Sequence, residues 1–217
     1  MSCELAVLIP AYNEEPRIGS VLEVVCAYSR KPRIVVIDDG SVDETKKTAG
    51  EFPVEVISFP KNRGKGAALQ AGLEHVGEAD CWVFLDADLI NLQKGHIEAL
   101  IKPIEEEPDT AMTVGVFRGG RNATDLAHRY FGILNGQRGL SRSFAASLPN
   151  MSWSRFGVEI LLSKFAERNG HLVSNPYLEG LTHFTKEHKF GVARGFPYRL
   201  QMYRECMYSL LRWDRHV

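Results

Sequence analysis

Short apolar runs alternate with amphipathic stretches along roughly the first hundred residues, and that alternation predicts β-α-β units on a parallel sheet. Strands are expected over 5–10, 34–38, 54–59 and 82–86, each ending in polar residues. Ile34-Val35-Val36-Ile37 is apolar at every position, as a strand covered on both faces requires. A first helix begins near Pro16, with Ile18, Val21, Leu22 and Val25 on one face. A second follows Asp39-Gly40-Ser41, and a third follows Gly64-Lys65-Gly66, with Ala68, Leu69 and Gly72. Residues 97–104 predict a further helix, 111–117 a strand, 155–168 another helix and 198–213 a last one, whereas 148–152 reads as a loop.

Composition narrows this picture. A chain of 217 residues with 44% hydrophobic and 24% charged positions can bury a substantial core as one compact unit, which excludes disorder and fibrous architectures. Lys+Arg 26 against Asp+Glu 27 leaves a net charge of −1, so no nucleic-acid footprint covers the surface and an anionic partner must be held locally. Cys3, Cys26, Cys81 and Cys206 show no CxxC spacing and predict reduced thiols in a cytoplasmic protein. No window approaches the ~18 apolar residues of a membrane span, and no basic stretch precedes the first apolar run. The expectation is a protein neither secreted nor integral to a membrane.

Ligands of open α/β sheets sit beyond the carboxyl ends of the strands, so the residues ending each run are the first candidates. They are Pro10-Ala11-Tyr12-Asn13-Glu14-Glu15, Asp38-Asp39-Gly40-Ser41, Lys61-Asn62-Arg63-Gly64-Lys65-Gly66 and Asp86-Ala87-Asp88. Asn13 and Ser41 also suit helix caps. Asp86 and Asp88, two apart on an extended segment, face one side and repel unless a cation lies between them. Oxygen ligands of this kind suit Mg²⁺ or Mn²⁺ bridging nucleotide phosphates. Lys65, between two glycines at a helix start, suits phosphate, yet neither GxxxxGK[ST] nor GxGxxG can be written there, which weakens ATPase and dehydrogenase readings.

Taken together, LIPAYNEE (8–15), VIDDGSVDET (36–45), NRGKGAALQAGL (62–73) and FLDADLI (84–90) resemble the four opening blocks of a family 2 type glycosyltransferase with the GT-A fold. LNGQRGLSRS (134–143), FGVEILL (156–162) and LEGLTHFTKEHKFG (178–191) are similar to its glucosyl-3-phosphoglycerate synthase-like and polyprenyl-phosphate glycosyltransferase-like branches. The resemblance implies a single Rossmann-like domain over 1–217, with a mainly parallel sheet flanked by helices. Residues 1–90 then form the nucleotide-binding half, and 91–217 the acceptor-binding half with the C-terminal helix.

The same resemblance implies site residues. Pro10, Ala11, Tyr12, Glu14 and Asp39 lie against base and ribose, Lys65 approaches the nucleotide, Asp86 with Ala87 meets the ribose, and Asp88 and His183 ligate the metal, Mn²⁺ or Mg²⁺. Glu159, after Phe156-Gly157-Val158, is the carboxylate that holds sugar or acceptor hydroxyls or takes the acceptor proton. Arg118, Arg121 and Arg138 are candidates to clamp an acceptor phosphate through bidentate guanidinium contacts.

The expected activity is transfer of a hexose from a nucleotide diphosphate sugar, UDP-linked, to a small phosphate-bearing acceptor or a polyprenyl phosphate. A sugar nucleotidyltransferase is the nearest alternative, although the loop after the first strand lacks the glycines and arginine such enzymes carry there; a non-catalytic nucleotide-sugar-binding protein is the other. Leu200, Tyr203, Met207, Leu210 and Leu211 fall at helical spacing beside Arg199, Arg204, Arg212 and Arg215, with Trp213 near the end. That stripe packs on the domain, joins a homodimer, or lies on the inner face of an anionic membrane.

Overall fold

A computed structural model describes residues 4–118 and 135–183, together with 204–205, 207–208 and 210–211 of the C-terminal segment. Four strands open the chain: β1 (Leu5–Ala11), β2 (Arg33–Asp38), β3 (Glu55–Ser58) and β4 (Cys81–Phe84). They run parallel, with Ala6 to Ala11 of β1 opposite Arg33 to Asp38 of β2, and Leu5 to Leu8 opposite Cys81 to Phe84 of β4.

Both faces of these strands are covered, which is why they read as unbroken apolar runs. Leu5, Val7 and Ile9 point to a layer containing helix α1 (Glu15–Cys26) and helix α4 (Lys94–Glu106), where Ile18, Val21, Leu22, Val25, Ile97, Leu100 and Ile101 pack. Ala6 and Leu8 point the other way, toward Ala68 and Leu69 of helix α3 (Lys65–Val76). On that face a Cβ on Gly72 would lie 2.9 Å from Leu8 Cδ1 and 3.0 Å from Ile37 Cδ1, so this glycine lets α3 approach the sheet closely. The short helix α2 (Thr45–Gly50) joins β2 to β3. Each of these elements falls within a few residues of the position expected from the sequence.

The second half extends the same sheet. It adds β6 (Thr110–Val114), β8 (Arg138–Ser141) and β9 (Leu172–Ser174), in the strand order β3-β2-β1-β4-β8-β6-β9. β8 is antiparallel to both neighbours, with Phe84 opposite Arg138 and Met112 opposite Leu140. Gly139 is the residue α4 crosses, and a Cβ there would lie 2.4 Å from the Leu100 carbonyl oxygen.

The expected strand 111–117 is two strands, β6 and β7 (Val116–Arg118), divided at Gly115, whose N–H donates to the Gln137 carbonyl. Helix α5 (Arg142–Ser147) follows β8, with the Ser141 hydroxyl capping it through the Phe144 N–H. The expected helix 155–168 opens with a 3₁₀ turn, Arg155–Gly157, before helix α6 (Val158–Arg168). Val158, Leu161, Leu162 and Phe165 bury against the α3 face of the sheet.

Short strands complete the edge: β5 (Leu89–Ile90) pairs antiparallel with β11 (Thr182–His183), and β10 (Tyr177–Glu179) pairs parallel with β7. Of the expected helix 198–213, the described residues are helical, whereas Arg199, Leu200, Tyr203, Arg212, Trp213 and Arg215 lie outside the described residues. No helix among the described residues is long and apolar enough to cross a membrane.

Candidate active site

Because β1 to β4 are parallel, their carboxyl ends share one edge, and the loops after them converge there. The loop after β1 is tied to the loop after β2 rather than capping its own helix. The Asn13 N–H donates to Ser41 Oγ (2.9 Å), Asn13 Oδ1 accepts from the Val42 N–H (2.9 Å), and the Glu14 N–H donates to Thr45 Oγ1 (2.8 Å). Asn13 adopts φ 56° to do so, a conformation asparagine tolerates better than most residues. The cap reading of Asn13 and Ser41 is therefore replaced by a loop-to-loop clasp. Pro10 and Ala11 end β1, Tyr12 follows them, and Glu14 pairs with Arg17 at 3.0 Å.

Asp39 is only 4% exposed. Its carboxylate accepts from Asn62 Nδ2 (2.8 Å), the Arg63 N–H (2.6 Å) and the Gly64 N–H (2.8 Å), which shapes the loop between β3 and α3 around it. Burial pushes its pKa above the ordinary aspartate value, against the backbone donors of Arg63 and Gly64 and the charge of Arg155. Gly40 beside it needs φ 74°, and a Cβ there would lie 2.5 Å from the Lys61 carbonyl carbon.

Lys65 opens α3 and reaches across the site. Its ammonium contacts Asp86 Oδ1 at 2.5 Å and Glu159 Oε1 at 2.7 Å, joining the end of β4 to the first turn of α6. Burial pulls the lysine pKa down, but the two carboxylates outweigh it and hold the ammonium charged well above its ordinary value. Gln137 Nε2 donates to Asp86 Oδ2 at 2.8 Å. Gly136 makes room for the cluster, because a Cβ there would lie 2.7 Å from Asp86 Oδ2 and still nearer the Lys65 ammonium.

Asp86 and Asp88 do not lie on one face of a strand as expected. β4 ends at Phe84, and Ala87-Asp88 form a turn leading into β5, so the two acids point from a bend rather than from an extended segment. Arg138 is also not a phosphate clamp. It is 0% exposed, and its guanidinium donates to the carbonyls of Asn135 (3.0 Å) and Glu159 (3.0 Å) and to Ser163 Oγ (3.1 Å), beneath the site. Burial pushes its pKa down to about 10 against the charges of Glu159 and Asp86. Arg118 is exposed and stacks 5.0 Å from the Tyr177 ring; Arg121 lies outside the described residues.

For a divalent cation, the donor chemistry fits. Asp88 immediately precedes β5, and the antiparallel β5–β11 pairing sets His183 opposite Leu89, one residue along. The side chain of His183 lies outside the described residues, and no group of three metal-ligating side chains is assembled among those that are described. A carboxylate suits Mn²⁺ or Mg²⁺, and an imidazole beside it suits Mn²⁺ somewhat better.

Sequence reasoning did not nominate Gln137 or Arg155. Gln137 lies in an irregular stretch with no periodic signal. Arg155 adopts φ 49°, which no pattern announces, and its guanidinium donates to the Arg63 carbonyl (3.2 Å) and to Asn62 Oδ1 (2.9 Å).

Comparison with known proteins bears directly on this arrangement. Residues 6–159 match the family model described as Glycosyl transferase family 2. A dolichyl-phosphate beta-glucosyltransferase of Trichomonas vaginalis is 40% identical over 101 residues, 40% of this chain and 31% of that protein. A 4,4'-diaponeurosporenoate glycosyltransferase of Staphylococcus aureus is 25% identical over 98% of this chain and 60% of that protein, so the chain spans less than two thirds of the length of each of these relatives. The glucosyl-3-phosphoglycerate synthase of Mycobacterium tuberculosis, in a crystal structure with Mn²⁺, UDP and glucosyl-3-phosphoglycerate, superposes with a TM-score of 0.78 at 26% identity, covering 97% of this chain and 80% of that one.

Proposed function

Because the chain belongs to glycosyl transferase family 2 and has the GT-A fold, we propose that it moves a hexose from a UDP-sugar to a phosphate-bearing acceptor with the help of Mn²⁺ or Mg²⁺. The observation that carries this reading is the Asp86–Lys65–Glu159 cluster, which gathers one cation and two carboxylates from both halves of the chain at the carboxyl edge of the parallel strands.

In this reading Pro10, Ala11, Tyr12 and Glu14 border the base and ribose, Asp39 accepts the N3–H of uracil, and Asp86 with Ala87 meets the ribose. Asp39 Oδ1 receives only the Arg63 N–H among the described residues, so it retains acceptor capacity for that proton. Asp88 and His183 hold the cation, which when bound offsets charge growing on the diphosphate as the glycosidic bond breaks. The Lys65 ammonium turns from Asp86 and Glu159 toward the same oxygens, a positive charge worth about 3–4 kcal/mol where negative charge develops. Glu159 orients sugar or acceptor hydroxyls and takes the proton of a hydroxyl acceptor.

The test is to incubate the protein with a panel of UDP-hexoses and Mn²⁺, with and without chelator, and detect nucleotide. Metal-dependent release of UDP in the presence of a phosphorylated acceptor supports the transferase. Formation of UTP and hexose 1-phosphate when pyrophosphate is supplied would indicate nucleotidyl transfer, and binding without release a sensor. A polyprenyl-phosphate acceptor sets the exposed Met207, Leu210 and Leu211, beside exposed Arg204, against an anionic bilayer, whereas a soluble acceptor leaves them free for another partner. Sedimentation with anionic vesicles at low salt separates the two acceptor classes.

A further inference from the structure

The loop Asn62-Arg63-Gly64 is gripped from two sides. Asp39 binds it from below through the Asn62 amide and the Arg63 and Gly64 N–H groups, at 2.6–2.8 Å. Arg155 binds it from the 3₁₀ turn that precedes α6, through the Arg63 carbonyl at 3.2 Å and Asn62 Oδ1 at 2.9 Å. The Asn62 amide therefore serves both, donating to Asp39 and accepting from Arg155.

The approach is close enough to constrain both backbones. Gly64 has φ 95°, and a Cβ on it would lie 2.9 Å from Arg155 Cα. Next to it, a Cβ on Gly66 would lie 2.2 Å from Ser154 Oγ and 2.5 Å from the Met151 carbonyl oxygen. Arg155 itself holds φ 49°, a left-handed conformation unusual for arginine, in a turn whose neighbour Ser154 is buried and bonded to the Met151 carbonyl at 2.6 Å.

The same arginine continues outward. Its Nε donates to Glu205 Oε1 at 3.0 Å, and two residues before it the Trp153 ring meets the Tyr208 ring edge-on at 6.4 Å between centroids. Arg155 thus stands between the loop at Asp39 and the C-terminal helical segment, with a neighbouring aromatic contact holding that segment in place.

We propose that Arg155 is a positioning residue for base recognition: it fixes the Asn62–Gly64 loop against Asp39 and couples that loop, through Glu205, to the C-terminal segment. The inference rests on the reading of Asp39 as the acceptor of the uracil N3–H. Arg155 does not touch the nucleotide. It sets the direction of the Asp39 carboxylate by holding the donors that surround it.

Two measurements test it on the full chain. Arg155→Gly keeps a residue that adopts φ 49° without strain, so the fold is retained while the clamp is lost. In nucleotide-free protein, the Arg63 and Gly64 amides should exchange with deuterium about tenfold faster in Arg155→Gly, and less so in Glu205→Gln, while β1 and β2 amides are unchanged. In inhibition assays the preference for UDP over CDP should fall about tenfold, with Arg155→Lys intermediate because an ammonium cannot hold both loop oxygens. Unchanged exchange at 63–64 overturns the clamp whatever the nucleotides do. Faster exchange with an unchanged UDP preference overturns the role in base selection; if Asp39→Asn also leaves that preference intact, the placement of uracil at Asp39 falls with it, and if Asp39→Asn lowers it, that placement stands.

Discussion

Asp86 and Glu159 accept hydrogen bonds from one and the same ammonium, that of Lys65, although Asp86 lies two residues beyond the fourth parallel strand and Glu159 lies in the first turn of α6. Lys65→Met leaves two partly buried carboxylates facing one another with their shared cation gone. Turnover measured as UDP release should fall by about 10²–10³-fold, and folding stability by about 3 kcal/mol. Activity within a few-fold of wild type would remove Lys65 from the reaction.

The metal assignment is tested separately. Asp88→Ala should abolish the Mn²⁺-dependent part of UDP binding in calorimetry, because a missing carboxylate leaves the diphosphate charge unopposed. His183→Ala should weaken it less and be rescued by raised Mn²⁺. UDP binding by Asp88→Ala at wild-type strength in Mn²⁺ would refute the placement of the cation.

Two glycines with opposite surroundings give a prediction about packing alone. Gly66→Ala drives a methyl to 2.5 Å from the Met151 carbonyl and should cost about 1–3 kcal/mol. Gly50→Ala, at the end of α2 with nothing within 4 Å, should be neutral or stabilise by about 0.5 kcal/mol. Thermal melts of the two variants should therefore shift in different senses, or by clearly different amounts.

Acid sensitivity should come in part from the far end of the sheet. Arg33, through bonds of 2.6 and 3.0 Å, and then His75 at 2.7 Å hold the Glu55 carboxyl at about 2, below its ordinary 4.5. A folded-state pKa below the unfolded one gives stability that is present above about 4.5 and lost as pH falls toward about 2. These side chains are 36–43% exposed, so screening limits the effect to under about 1 kcal/mol. Melts of Glu55→Gln should lie slightly below wild type at pH 7 and converge with it as pH approaches about 2; parallel curves throughout would exclude the linkage.

The parallel strands and the edge where ligands gather were legible because strands covered on both sides have little choice but to be apolar throughout, as Ile34 to Ile37 are. β8 was not legible for the converse reason: its four residues, Arg138 to Ser141, begin with a fully buried arginine and a glycine chosen for α4 to cross, and neither advertises a strand. Two- and three-residue strands such as β5 and β11 are too short to carry a period. At the site, Lys65 was nominated for phosphate, but its contact with Glu159 depends on how α6 folds back onto α3, which no local pattern contains. The same holds for Arg155, whose partners lie in a loop more than ninety positions earlier.

The place of β8 has a consequence for how such a chain can be built and rebuilt. β4 is buried at Cys81 to Phe84, and one of its edges is filled only by residues 138–141, which belong to the other half of the sequence. A fragment stopping near Ile90 would carry every loop at the carboxyl ends of the parallel strands yet offer a bare, wholly apolar strand to its surroundings, an invitation to pair with another molecule. The two halves are therefore not exchangeable modules. Their border runs through the β4–β8 and β5–β11 ladders of backbone hydrogen bonds, and the open edge of β4 is covered only once synthesis has passed β8.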